Sequence, residues 1–210
     1  MRLAQRAVRG PGGGHGSRGR RRRRRRPRRE RRGRERSPGG RSRPSAGRVT
    51  RGTITDFDCT VKYFKSLIKT YGQELQNEGE GCPPPPGPNQ WEILDETSSR
   101  NAQYGATVLV PQIQFGLLYM SGFITRAIAP HYKRAPKEAL QLAQSAAHYT
   151  ALGTAWTHAV TSFQAGFTAV GQHDCGLGAT ESTQGYAELS KGESPWMAGR
   201  AKLVDVLAGR

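Results

Sequence analysis

Eleven arginines packed into thirteen positions carry the most legible chemistry in this chain: Arg20, Arg21, Arg22, Arg23, Arg24, Arg25, Arg26, Arg28, Arg29, Arg31 and Arg32. Each guanidinium holds a permanent charge and a planar fork of donors that matches two phosphate oxygens at once. Residues 1–52 contain 21 arginines, no lysine and two acids (Glu30 and Glu35), a net +19. The remaining residues hold 12 Lys/Arg against 14 Asp/Glu, a net −2. The whole positive balance therefore belongs to the N-terminal quarter, and its expected partner is RNA or DNA. No aromatic residue lies in this quarter, so it offers no base-stacking platform and little sequence preference. A nuclear import receptor and an anionic membrane surface are further partners that such a block fits.

Other reactive residue types are sparse. Five histidines stand at 15, 131, 148, 158 and 173, and three cysteines at 59, 82 and 175, with no CxxC pair. That cysteine pattern argues against a disulfide scaffold and against a closed zinc site. His173, Asp174 and Cys175 are adjacent, yet neighbouring side chains point in different directions, and a Cys–His dyad normally joins separate segments. His131 or His158 against Cys59 or Cys175 is the pairing that sequence leaves open. No HExxH, GxSxG or GK[ST] motif occurs. The expectation is a non-enzymatic protein with no catalytic residue, metal site or cofactor, and an oligomeric state that sequence does not give.

The elements that would carry these residues follow from composition and periodicity. Arginine repulsion and the breakers Pro27, Gly33, Pro38 and Gly39 read residues 1–52 as a disordered arginine-rich tail. An absence of lysine beside so many arginines is also what translating a GC-rich leader would give, so a recently arisen or spurious reading frame is one alternative. MRLAQRAVRG has a transit-peptide flavour, but Gly10 and Pro11 interrupt it, so nucleus or nucleolus is favoured over the mitochondrion or an intracellular membrane surface.

Beyond the tail the expected fold class is mainly α: a small helical region, with loose packing left open by its 35% hydrophobic content. Phe57, Val61, Phe64, Ile68, Tyr71 and Leu75 step by 3 and 4, predicting an amphipathic helix over 53–79, capped at Thr55 with Asp58 as the acid reaching back, and fraying toward Gly79. Residues 80–111 read as a Pro-rich linker and irregular segment, with a short helix over 91–96 and an extended piece ending at Pro111.

Residues 112–171 read as a helical hairpin-like region. Ile113, Leu117, Met120, Ile124 and Ala127 stripe its first half, taken as a buried core helix rather than a membrane span. Its second half, 139–171, carries no charge, and Gly153 is a candidate break. Packing is one use of that stripe. The alternative is a lipid-surface helix inserting Trp156, Val160, Phe163 and Phe167. Residues 172–210 read as a Gly/Ser/Thr-rich loop and a short C-terminal helix from Trp196, using Met197, Ala201 and Val204.

Overall fold

The computed structural model describes residues 46–80, Cys82 and residues 89–209, with side chains from Gly52 onward. The described residues form helices and turns, with no strand among them. Helix α1 spans Ala46–Glu80, α2 Gln90–Tyr104, α3 Val110–Phe123, α4 Pro136–Gly171, α5 Cys175–Lys191 and α6 Glu193–Leu207.

These six helices act as four rods. A π turn at Gly105–Leu109 joins α2 to α3 without breaking the rod, and a second at Ile124–Ile128 carries α3 into a 3-10 turn, Ala129–Tyr132. Each π turn lies just before a proline, Pro111 or Pro130. Proline has no N–H for the carbonyl four residues back, and the wider turn shifts the pairing so that the rod continues. Val110 N–H thus bonds Gly105 O, and Ala129 N–H bonds Ile124 O. The extended piece expected before Pro111 is helical for this reason, and the expected short helix grows to Gln90–Tyr104.

Helices α5 and α6 meet at Gly192 and run on together against α4: Gly178 faces Gly166, Gly192 faces Trp156, and Gly199 faces Ser145 and His148. Cross-rod contacts fix the directions. Phe57 touches Phe123 and Tyr149. Tyr71 touches Phe167 and bonds Asn101 O. Asp58 pairs with Arg200. The result is an up-down-up-down bundle of α1, α2–α3, α4 and α5–α6.

One core runs the length of the bundle. The α1 stripe is buried throughout, from Phe57 (6% exposed) to Leu75 (1%). Opposite it, α4 buries Leu142, Tyr149, Trp156, Phe163, Phe167 and Val170. Trp156 donates its indole N–H to Leu189 O at 3.2 Å, so its polar atom is satisfied in the interior. The buried residues form one contiguous hydrophobic cluster.

Several expectations need correcting. Helix α1 starts before Thr55, so Asp58 is not a capping acid; its carboxylate takes both bonds (2.8 and 2.9 Å) from Arg200 Nε. The far end of α1 does not fray by Gly79, because Glu78 is held by Ser98 and Asn101 of α2. Gly153 does not break α4; Leu117 packs against the place its Cβ would occupy. Ala127 is exposed and Ile128 takes the core position, since the π turn shifts the register by one. Only one face of α3 is buried, so it is not a core helix on all sides. Residues 175–191 are helical rather than a loop, and α6 buries Gly199, Leu203 and Val206 instead of Met197 and Ala201. Most of the Pro-rich segment, 83–88, lies outside the described residues.

Candidate functional site

The eleven arginines from Arg20 to Arg32 also lie outside the described residues. What the described residues add is the charge pattern of the bundle to which they are joined. At the end where α1 finishes and α2 and α5 begin stand Glu78, Glu80, Glu92, Asp95, Glu96 and Asp174, with Arg100 as the nearby cation, paired to Glu96 at 2.6 Å.

At the opposite end, the turn from α3 to α4 displays Arg126, Lys133, Arg134 and Lys137, all exposed, with Glu138 the acid beside them. Helix α1 begins at this same end, since Phe57 sits level with Phe123 and Tyr149. The two proline-constrained turns place these cations: Pro130 enforces the 3-10 turn and Pro136 opens α4. The sequence RAIAPHYKRAPK contains this corner openly, but its four cations are outweighed in any count by the arginine run. Of the α1 lysines, Lys65 is engaged by Glu193 of α6, while Lys62 and Lys69 are exposed.

Burial tunes the acidic end. Partial desolvation raises the Glu78 carboxyl above its ordinary value, Ser98 Oγ (2.7 Å) and Asn101 Nδ2 (2.5 Å) oppose the rise by donating to it, and Glu74 adds to it. The Tyr71 phenol, beside Glu74 and Glu78, is pushed up chiefly by burial and stays protonated while bonding Asn101 O at 2.8 Å.

The adjacent His173, Asp174 and Cys175 take three separate roles. His173 adopts a left-handed backbone (φ 63°), lies 3.8 Å from the Trp91 ring centroid, and sets Nε2 2.9 Å from Asp95 Oδ1. Asp174 caps α5 by accepting from Leu177 N–H at 2.9 Å. Cys175 is bonded to Cys82, with Cα atoms 5.8 Å apart, which fastens the α1–α2 connection to the start of α5. The cysteine spacing predicts no disulfide scaffold, and a single bridge is not a scaffold; but one spanning 93 residues cannot be read from spacing, and the fold brings these two cysteines together. With its sulfur in that bond, Cys175 is not a thiol nucleophile for any histidine. Cys59 is free and exposed on α1. No cluster of three metal-ligating side chains occurs among the described residues.

Trp156, Val160, Phe163 and Phe167, the residues assigned to lipid insertion, are each 0% exposed. They face the other rods because α4 packs against every other helix, so in this fold they cannot also enter a bilayer. Exposed large apolar residues lie elsewhere, among them Ile93, Leu140 and Met197, and Phe115, Leu118 and Tyr119 on the outer face of α3. No known protein family, curated protein or solved structure matches this chain.

Proposed function

We propose that this is a non-enzymatic nucleic-acid-binding protein, RNA being the favoured ligand, that grips phosphates through Arg20–Arg32. One observation carries the reading: a net +19 confined to residues 1–52 beside a body of net −2. Binding of this kind draws its free energy from counterions released as cations replace them on the phosphates, so it is strong at low salt and indifferent to sequence. The corner formed by Arg126, Lys133, Arg134 and Lys137 supports the reading. It puts further exposed cations at the end of the bundle where α1 begins. The opposite, acidic end repels a polyanion and leaves it one preferred approach. Nuclear or nucleolar retention follows from the same charge.

Fluorescence anisotropy of the full chain with single-stranded RNA, repeated across salt concentrations, tests the proposal. Replacing Arg20 to Arg26 by glutamine removes seven phosphate contacts and should lower the log–log salt slope by about 5. Reversing the four corner cations to glutamate should lower it by a further ~3. An unchanged slope in the first variant, or wild-type binding that survives molar salt, refutes the reading.

A further inference from the structure

We propose that the Cys82–Cys175 bridge is a redox latch: a dithiol reductant opens it, and the first two turns of α2 then part from the start of α5 while the rest of the bundle stays folded. Cys82 lies just past the end of α1, and Cys175 is the first residue of α5. Both are partly exposed, so a small thiol reaches the bond. The segments flanking the bridge have little else to hold them. No residue from Asn89 to Thr97, or from Gly171 to Leu177, is buried, and local stability follows buried contact. His173 links the two segments: its Nε2 is 2.9 Å from Asp95 Oδ1, and its ring centroid is 3.8 Å from that of Trp91. The paired His173 and Asp95 side chains are 41% and 48% exposed, and a pair so open to water stabilises little.

Charge pushes the joined segments apart, and burial limits how far they go. Glu78, Glu80, Glu92, Asp95, Glu96 and Asp174 crowd this end, with Arg100 paired to Glu96 as the nearby cation. The bridge therefore holds like charges together, and cutting it lets their repulsion act. Opening stops at Ser98. That residue is 0% exposed, donates to Glu78 at 2.7 Å and faces Gly171 of α4. One turn on, Asn101 donates to the same carboxylate, and its carbonyl accepts from Tyr71. From Ser98 onward α2 is anchored without the bridge.

The exchange is a two-electron step. A thiolate of the reductant attacks one sulfur of the bridge, and the other cysteine leaves as a thiolate. The reductant's second thiol then displaces the first cysteine and closes its own disulfide, so the protein gains two electrons and two protons. A disulfide oxidant runs the same steps backwards. The compartment in which the latch works rests on the nuclear reading above, where thiols are kept reduced and bridges are transient or redox-sensing. The latch itself needs no nucleic acid.

Amide hydrogen exchange of the nuclease-treated full chain, before and after about 1 mM dithiothreitol without denaturant, tests the latch. Maleimide labelling should count one thiol, Cys59, before reduction and all three cysteines after it. Amides of residues 93–97 should then lose protection on the order of 10-fold, while those of 102–104 and 156–167 keep theirs. Reoxidation should restore the first state. A Cys82→Ser, Cys175→Ser double variant should match reduced wild type and ignore dithiothreitol. Equal protection of residues 93–97 in the two states overturns the proposal. So does a loss that spreads through residues 156–167, which would make the bridge a staple of the whole fold, and so does a bridge that dithiothreitol leaves intact. No readout involves RNA, so the outcome is separate from that of the phosphate-binding test.

Discussion

Gly185→Ala isolates the close approach that holds α5 against α4. A Cβ built at Gly185 would lie 2.3, 2.5 and 2.8 Å from three atoms of the Phe163 ring, about 1 Å inside the 3.4 Å where ordinary contact begins. The ring has nowhere to retreat. On its other side a Cβ at Gly72 would stand 2.6 Å from the same ring, and Tyr71 and Tyr186 flank it with centroids at 6.2 and 5.1 Å. Overpacking a core costs roughly 1–3 kcal/mol, and a ring clamped between two glycines belongs at the upper end. Alanine in a helix returns about 1 kcal/mol over glycine. The net expectation is a loss of about 2 kcal/mol, read from urea unfolding at constant m. Gly122→Ala, where nothing lies within 4 Å, is the control and should gain up to ~1 kcal/mol. In a Phe163→Leu background the loss at Gly185 should vanish, giving a coupling energy of about 2–3 kcal/mol. Should Gly185→Ala stabilise the chain as Gly122→Ala does, or should its deficit persist without the ring, the reasoning fails.

Two further outcomes are expected. Opening the Cys82–Cys175 bridge, by reduction or by Cys82→Ser, removes a 93-residue loop constraint and should cost up to ~4.6 kcal/mol in the loop-entropy account; an unchanged urea midpoint would show that the bridge holds nothing in place. Glu78 has a folded-state pKa raised above its unfolded value, so the native state takes up its proton first. The penalty for its charge is fully present above the folded pKa and is relieved as pH falls from there toward 4.5. Wild type should therefore gain stability on Glu78→Gln over that descent, and equal pH slopes in parallel melts of the two proteins would contradict the burial argument.

How much of this was legible depends on which signals are local. The α1 stripe and the α4 stripe could be read directly, because burial at every third and fourth position leaves a pattern in adjacent residues. The α5 helix could not. Gly178, Ser182 and Gly185 have the composition of a loop, and they are helical because small side chains let α5 approach α4 until Gly166 O is within 3.5 Å of a Cβ at Gly178. Pro111 misled in the opposite direction, since propensity marks it as an end while the preceding π turn carries the rod through. The basic corner was present in the sequence as four separated cations; only the turn assembled it.

Charge segregation, helical class and the two main apolar stripes were settled by the order of residues alone, since each depends on residue identity and near-neighbour spacing. Which way each stripe faces was decided by the tertiary structure. Burial of Trp156, Val160, Phe163 and Phe167 removed them from any lipid surface and left Phe115, Leu118 and Tyr119 outside. An apolar residue seeks cover wherever it finds it, and whether that cover comes from its own chain depends on partners far away in sequence.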